Sequence, residues 1–363
     1  EVWEALFNPA KKVVVQVAPA VRVAIGEEFG MPAGQIVTGR LTAGLRRLGF
    51  DAVFDTTFGA DLTVMEESRE IMERLKANEN LPILTSCCPG WINFIDHHFP
   101  SLKYMPSTCK SPQQMTGAVA KSYYAKKMGI DPKDLVMVSV MPCIAKKYEA
   151  ALPYQQVDGI ADVDYVVTTR ELAKMLKEGS VDLRYMPEEE FDNPLGMSTG
   201  AGVIFGSTGG VLEAALRTVS ELYTGKKLED VNFVAVRGAN GIREAEVQVN
   251  GRTVRVAALS GLGNARKVLE KIVKGEEHYD VIEIMACPGG CVNGGGQPYS
   301  RNREEVVEQR MRGLYQIDRS LPIRKSHENP GVQQLYQEFL GEPGSPLAHE
   351  LLHVHHAEEA HPA

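Results

Sequence analysis

Three segments of the 363-residue chain place cysteine directly after an apolar, strand-like run: LPILTSCCPGW, VMVSVMPCIAKKYE and VIEIMACPGGCVNGGGQP. Ligands of α/β proteins gather at the carboxyl ends of strands, so we expect these thiols to converge. A proline beside a thiol fixes the turn, and glycines let backbone come close to a bulky group. Four thiolates from separate turns are the ligand set of an iron–sulfur cube.

Two other uses of the six cysteines compete with a cluster. Structural zinc usually shows paired C-x-x-C knuckles, and the sequence has none. A nucleophilic role for Cys87 or Cys88 would call for a histidine partner in a recognisable motif, and none is visible. Isolated cysteines are otherwise inert thiols in a reduced compartment. The pattern favours iron–sulfur and leaves zinc, catalytic thiols and unreactive thiols open.

The elements that must position these thiols indicate an α/β protein, because apolar β-branched runs alternate with helix-period segments. The runs predict strands at 13–17, 51–55, 82–85, 136–140, 165–168, 233–237 and 281–285, and helices at 61–78, 111–128, 170–178, 210–224 and 264–274. Alternating residues around Asn250-Gly251 predict a hairpin. We therefore expect two lobes, each a mixed or parallel sheet flanked by helices, with 1–134 plus 299–363 in one and 135–298 in the other.

Composition and charge exclude several classes of function. The net charge is −8, which argues against nucleic acid or an anionic membrane as a partner. The longest stretch without a charged residue, 193–212, holds six glycines and cannot serve as an apolar span. No nucleotide-binding glycine motif occurs. The five histidines between His349 and His361 are expected to be solvated on a frayed helix. We expect a fragment of a longer protein that is cytoplasmic, with a periplasmic location as the alternative because the sequence opens without its N-terminus.

Together the three cysteine segments resemble the signature segments of the catalytic domain of FeFe-hydrogenases, and TTRELAKML, GAGVIFGSTGGVLEAALR and VRGANGIREAEV resemble it too. The resemblance implies the reversible reaction 2H⁺ + 2e⁻ ⇌ H₂ by heterolytic cleavage. It implies an H-cluster, in which a 4Fe–4S cube is joined through a cysteine to a two-iron subsite carrying CO, cyanide and an azadithiolate, buried between the lobes. Its metal ligands would be Cys88, Cys143, Cys287 and Cys291, with Cys291 as the bridge.

The resemblance also assigns residues around the two-iron subsite. Cys87 would stay unligated and pass a proton to the azadithiolate, since adjacent residues of an extended chain point to opposite sides. Lys146 would donate a hydrogen bond to an iron-bound cyanide, whereas Lys147 is expected at the surface. The walls of the site would be formed by Pro19, Ala20, Gln113, Met141 and Met285.

A proton relay is implied as well. Glu67, Glu70 and Arg74 are spaced i, i+3, i+7 and share one helical face, which is ordinarily a solvated stripe. The resemblance instead places Glu67, Ser107 and Glu70 in the path to Cys87, with Arg74 at its outer end. Two neighbours are given passive roles: a loop anchor for Glu149 and a small unreactive residue for Cys109.

The implied partners are H₂ and protons as substrates, a ferredoxin or another redox subunit as electron partner, and maturation proteins for the cluster. Neither nucleic acid nor membrane insertion is expected. Two rivals remain: a non-catalytic iron–sulfur assembly factor that holds only the cube, and a hydrogen sensor. The joint presence of Cys87, Lys146, Met285, Glu67 and Glu70 favours the enzyme.

Overall fold

Two four-stranded sheets form the frame of the computed structural model, which describes residues 1–239, 241–249 and 251–354. The strands are β1 (Lys12–Val17), β2 (Ala52–Asp55), β3 (Ile83–Leu84), β4 (Leu135–Met141), β5 (Gln156–Val157), β6 (Ile160–Ala161), β7 (Tyr165–Thr168), β8 (Gly241–Val249), β9 (Arg252–Ser260) and β10 (Val281–Met285). The first sheet has the order β2-β1-β4-β7, with every neighbour parallel. The second has the order β3-β10-β9-β8, in which only β8 and β9 are antiparallel.

Helices cover both sheets. They are α1 (Val2–Leu6), α2 (Thr38–Leu48), α3 (Thr56–Ala77), α4 (Pro89–His98), α5 (Pro112–Val119), α6 (Ala125–Met128), α7 (Ala145–Ala150), α8 (Thr169–Glu178), α9 (Gly200–Ile204), α10 (Gly210–Thr224), α11 (Leu262–Val273), α12 (Arg303–Ser320), α13 (Pro330–Leu335) and α14 (Pro346–Leu352). Two π-helical turns, Ala120–Tyr124 and Tyr336–Leu340, continue α5 and α13. Within the described residues, no helix combines the length and the apolarity needed to cross a bilayer.

The parallel strands β1, β4 and β10 are buried on both faces, and this explains why they are near-continuous apolar runs in the sequence, whereas β8 at the edge of the second sheet is largely exposed and alternates. Val13 and Val15 pack into one core of the first sheet, whereas Val14 between them packs into the core on the other face. In the second sheet Ile282 packs into the core on one face and Val281 into the core on the other. The predicted α/β class, with parallel and mixed sheets flanked by helices, is confirmed.

Most predicted strands are present, but the one at 233–237 is wrong. Val234–Val236 forms a turn of 3₁₀ helix. Val236 is buried there, while Val234 is 62% exposed. A short apolar run does not reveal whether a partner strand is available to it. The predicted hairpin is formed by β8 and β9, and Gly251 in its turn has φ +79°.

Sheet membership does not follow the predicted division of the chain at residue 134. β4 and β7 lie beyond that residue but belong to the first sheet, and β3 lies before it but belongs to the second. Parallel strands need long crossovers, so neighbours in the sequence need not be neighbours in a sheet. As a result, α3 leaves the first sheet at the end of β2 and carries residues towards the second.

Candidate active site

A cavity with a volume of about 70 Å³ lies where the carboxyl ends of the two sheets meet. Ten of the residues singled out in the sequence line it: Pro19, Ala20, Cys87, Cys88, Gln113, Met141, Cys143, Lys146, Met285 and Cys291. Pro142, the proline already noted beside Cys143, also lines the cavity. The remaining lining residues were not singled out in the sequence: Ala18, Thr56, Ala60, Pro112, Phe205 and Gly206. The structure therefore collects residues from distant segments at one apolar site.

The four predicted ligand cysteines come from three different turns. Cys88 is the N-cap of α4, Cys143 follows β4, and Cys287 and Cys291 flank the turn after β10. Burial raises the pKa of Cys287 to about 12, with the charges of Cys143 and Cys88 adding to it. Burial also raises the pKa of Cys291 well above its ordinary value, and the other three thiols add to that shift. All four sulfurs are thus close enough to interact, and all are free thiols.

No three of these sulfurs lie within 4.8 Å of one another. In the described part of the chain, two sets of three metal-ligating side chains bring their ligand atoms within 4.8 Å of one another, and neither set contains any of these four cysteines. Sulfur ligands of one tetrahedral zinc ion would lie about 3.8 Å apart, because Zn–S bonds are about 2.3 Å. This spacing does not favour a single zinc ion, and four thiols are the donor set that an iron–sulfur cube uses.

Glycines allow the turns that carry the thiols to approach one another. A Cβ on Gly294 would lie 2.2 Å from the carbonyl oxygen of Pro142, beside Cys143. A Cβ on Gly290 would lie 2.6 Å from the backbone nitrogen of Thr208, and Gly290 has φ +91°. The glycines around Cys291 are therefore required for close backbone packing next to the cavity.

Lys146 brings a buried positive charge to the cavity wall. Its ammonium donates to both carboxylate oxygens of Glu149 at 2.9 Å and to the carbonyl of Cys87 at 3.0 Å. Burial lowers the pKa of Lys146, but the Glu149 carboxylate outweighs it and the net shift is upward, so the ammonium stays charged. Ser111 and the Gln113 amide also donate to Glu149, at 2.9 and 3.1 Å. Glu149 thus anchors this wall.

The relay residues predicted on α3 lie against the loop that contains Ser107. The Ser107 hydroxyl donates to Glu70 Oε2 at 2.8 Å. The Arg74 guanidinium donates to Glu70 and to the carbonyls of Met105 and Pro106, both at 3.0 Å. Glu70 and Arg74 keep 12% of their side-chain surface exposed, so this set reaches the protein surface.

Glu67 and Cys87 form the inner part of the same region. Burial raises the pKa of Glu67 to about 8; the Glu70 charge adds to the shift and the Ser107 hydroxyl opposes it. Burial likewise raises the pKa of Cys87 well above its ordinary value, and Glu67 adds to that shift. Both groups therefore carry a hydrogen at neutral pH. Among the described residues, none donates to Glu67 Oε2.

Comparison with known proteins agrees with this geometry. The family "Iron only hydrogenase large subunit, C-terminal domain" matches residues 11–295, and "Iron hydrogenase small subunit" matches residues 304–359. The chain belongs to the iron-only hydrogenase family. The NADP-reducing hydrogenase subunit HndD of Solidesulfovibrio fructosivorans is 55% identical to this iron-only hydrogenase chain over 98% of the chain. The chain spans 62% of the length of that relative.

Two further comparisons show how similar the chain is to a hydrogenase and to an assembly factor. A structure of a FeFe-hydrogenase HydA1 variant from Chlamydomonas reinhardtii is 46% identical, with a TM-score of 0.86 over 98% of both chains. A cytosolic Fe-S cluster assembly factor of Danio rerio is 32% identical over 96% of this chain and 87% of its own length. The likeness to a hydrogenase is therefore greater than the likeness to an assembly factor.

The buried positions of two polar residues of this iron-only hydrogenase were not predicted from the sequence. Glu283 is buried on β10 and accepts hydrogen bonds from the backbone of Gly209 and Leu212, at 2.6 and 2.8 Å, where α10 begins. His353 was expected to be solvated; it is 8% exposed and lies 3.0 Å from Glu66, because α14 docks on the body of the protein. His349 is exposed. The predictions for His355, His356 and His361 lie outside the described residues.

Proposed function

We propose that this chain catalyses the reversible conversion of protons and electrons to H₂. The observation that supports the proposal is the cavity itself, which the free Cys87 thiol lines together with three of the four predicted ligands, Cys88, Cys143 and Cys291. An assembly factor that only holds a cube has no need for a protonated thiol linked to buried carboxyl groups. The relay behind Cys87 therefore favours the enzyme over that rival.

The four ligand cysteines would hold a 4Fe–4S cube, and Cys291 would bridge it to a two-iron subsite with CO, cyanide and azadithiolate ligands. When bound, this H-cluster supplies the centre at which the H–H bond is made or broken. Lys146 is placed to donate to a cyanide ligand, because its ammonium lines the cavity while Glu149 holds it. Met141 and Met285 would contact the group with soft, adaptable side chains.

The side chains around Cys87 would move the protons. Glu70, partly exposed, would take up a proton beside Arg74 and pass it to the Ser107 oxygen, 2.8 Å away. The Ser107 hydroxyl, whose hydrogen points to Glu70 in the structure, would then turn and release that hydrogen to Glu67 after Glu67 has given its own proton to Cys87. Protonated Glu67 would supply Cys87, the last group before the cavity. Each transfer needs neighbours within hydrogen-bond reach, directly or through one water.

The cavity walls would keep bulk water away from the reacting centre. Phe205, Met285 and Ala60 belong to one apolar cluster that includes Cys87 and Cys291 at its edge. Excluding water strengthens every electrostatic interaction inside, including that of the Lys146 charge. H₂ and protons are small enough to need no wide entrance, so a dry site is compatible with turnover.

The electron partner that we propose is a ferredoxin or another redox subunit. The surface beside the ligand turns supports it: Ile144 is 55% exposed and Tyr299 86% exposed, and the Arg170 guanidinium stacks over the Tyr299 ring. Arg303, next to Cys287, adds a second positive charge. Exposed apolar groups ringed by cations suit an acidic protein. The free thiols favour a reducing, cytoplasmic compartment.

Three measurements test the proposal. After maturation with the subsite precursor, an enzyme or a sensor shows infrared bands of iron-bound CO and cyanide, and about six iron atoms per chain. A cube-only assembly factor shows no such bands and about four iron atoms. Fast H₂ uptake with a dye acceptor then separates an enzyme from a sensor; absence of the bands would overturn the proposed function.

A further inference from the structure

A second hydrogen-bonded set adjoins the relay at Glu70. The Thr108 hydroxyl lies 3.2 Å from Glu70 Oε2 and 2.8 Å from His353 Nδ1. His353 Nε2 lies 3.0 Å from Glu66 Oε2. These contacts form a continuous path from Glu70 to Glu66, which is fully buried on α3. The relay proposed above makes no use of it.

The surroundings of Glu66 decide which ring nitrogen of His353 carries a hydrogen. Glu66 Oε2 accepts from the Gly344 backbone at 2.7 Å, and Oε1 accepts from the Tyr336 hydroxyl. Donors on both oxygens stabilise Glu66 as an acceptor, so His353 Nε2 donates to it. The partner of one imidazole nitrogen sets the role of the other. Nδ1 is therefore the nitrogen that faces Thr108.

Thr108 has one hydroxyl hydrogen and two neighbours that can accept it. When His353 is neutral, Nδ1 has a free lone pair and takes that hydrogen at the shorter distance. When His353 is protonated on both nitrogens, Nδ1–H donates to the Thr108 oxygen, and the hydroxyl hydrogen turns to Glu70. Protonation of His353 thus gives Glu70 one more donor and places a positive charge two hydrogen bonds away.

We propose that His353 is a positioning residue of the relay, and that through Thr108 it sets the hydrogen bonding of Glu70. This inference rests on the proposed function, since it assigns Glu70 to proton transfer. The protonation of His353 depends on six groups packed around its ring. These are Glu66 and Glu70 on α3, Arg69 beside Glu66, Cys109 on the loop that pairs with His353, Tyr336 on the π-helical turn, and His349, whose ring centroid lies 4.2 Å away.

A bound cation at this position is a weaker interpretation. The ligand atoms of Glu70, Cys109 and His353 lie within 4.8 Å of one another. The Arg74 guanidinium already pairs with Glu70, so a divalent ion would meet an adjacent positive charge. The continuous hydrogen bonds through Thr108 account for the same side chains without an ion.

The first experiment measures the coupling itself. The full chain is prepared with isotope-labelled histidine, and the His353 signal, assigned with His353→Gln, is followed by NMR over pH. Thr108→Val removes the hydroxyl at nearly constant shape, so neutral His353 loses a neutral hydrogen bond and protonated His353 loses a charge-assisted one. Because the charge-assisted bond is the stronger of the two, we expect the titration midpoint to fall by about 0.5–1 pH unit, which is the difference between them. Thr108→Ser keeps the hydroxyl and should leave the midpoint in place.

The second experiment measures the consequence for turnover. In wild type and Thr108→Ser, the rate of H₂ evolution plotted against pH should contain one ionisation that is missing in both Thr108→Val and His353→Gln. Ser345→Ala is the structural control, because it loosens the cap of α14 at Ala348 without touching the path. That variant should lower stability and keep the profile.

Two outcomes overturn the inference: an unchanged His353 midpoint in Thr108→Val, or a shifted midpoint with a wild-type pH profile in both variants. Neither outcome bears on the proposed function, which is judged by the infrared bands. Conversely, a protein without those bands still shows whether the His353 midpoint depends on Thr108, so the two failures are distinguishable. Because Thr108→Val and His353→Gln probe opposite ends of one hydrogen bond, loss of folding in one leaves the other as the test.

Discussion

The Ser107 hydroxyl donates its only side-chain hydrogen to Glu70 Oε2, at 2.8 Å. The Ser107 Oγ in turn accepts a hydrogen bond from the backbone N–H of Cys109 at 3.2 Å, which fixes the position of this oxygen. A hydroxyl can accept a hydrogen on one side and release its own on the other. The Ser107 hydroxyl also opposes the rise in the pKa of Glu67, so Ser107 adjoins both the partly exposed Glu70 and the buried Glu67, and we propose that it connects them.

Replacing Ser107 by alanine should interrupt this connection. We expect Ser107→Ala to lower H₂ evolution by about 10²–10⁴-fold, the usual contribution of a positioned proton-transfer group. Iron content should not change. Ser68→Ala is the matched control, because Ser68 is a buried serine on α3 whose hydroxyl has no partner among the described residues. Equal rates in the two variants would contradict the proposed relay.

Glu67 should make stability depend on pH. Its pKa is raised to about 8 in the fold, from an ordinary value of 4.5, chiefly by burial. A raised carboxyl pKa means that the folded state holds the proton more tightly than the unfolded state. Its stabilisation is thus complete below about pH 4.5 and is lost as pH rises through about 8. The free energy of unfolding of wild type should fall over this window.

Glu67→Gln removes that contribution because the amide cannot ionise. The measurement is urea unfolding at pH 5 and pH 9, and we expect the variant to gain stability relative to wild type at the higher pH. Glu73→Gln, an exposed change on the same helix, should give one constant offset at both pH values. A constant offset for Glu67→Gln as well would show that folding does not raise the pKa of Glu67.

Cys87→Ala should separate cluster binding from turnover. The thiol has a strongly raised pKa and is outside the proposed ligand set, so the alanine variant should keep the iron content and the infrared bands of wild type. Turnover should fall by at least about 100-fold, because Glu67 loses its acceptor. Cys109→Ala removes the other unligated thiol and should keep most activity. Full activity in Cys87→Ala would exclude Cys87 as the last proton carrier.

The cysteine segments show which parts of the site could be predicted from the sequence. Proline and glycine beside Cys143 and Cys291 indicate turns after strands, and the observed packing of Gly294 against Pro142 gives those residue types a physical cause. The parallel strands then bring the turns together at the ends of the sheets. For this reason the cavity-lining residues near cysteine could be predicted, whereas the lobe boundary could not.

His353 and Glu283 show what local patterns leave out. His353 meets Glu66 across 287 positions, and that contact depends on how α14 docks after the π-helical turn. Glu283 stands within an apolar strand, where its carboxylate is satisfied by backbone donors at the start of a distant helix. Both contacts arise from tertiary packing, and the sequence around each residue does not predict its partner.

Lys146 and Lys147 provide a paired test of the buried charge. Lys147 pairs with Glu171 at the surface, where both side chains are more than 40% exposed, so Lys147→Met should change stability by only about 0–1 kcal/mol and leave activity intact. Lys146→Met leaves the Glu149 carboxylate buried without its cation, and breaking such a pair costs about 3–5 kcal/mol.

The double variant Lys146→Met/Glu149→Gln separates the two roles of that lysine. Removing both charges should restore much of the lost stability, because no unpaired charge remains buried. It should not restore retention of the two-iron subsite, since the cavity wall still lacks an ammonium donor. Urea unfolding measures the first effect, and iron counting with infrared spectroscopy measures the second. If the double variant kept about six iron atoms with unshifted cyanide bands, Lys146 would serve only to hold Glu149.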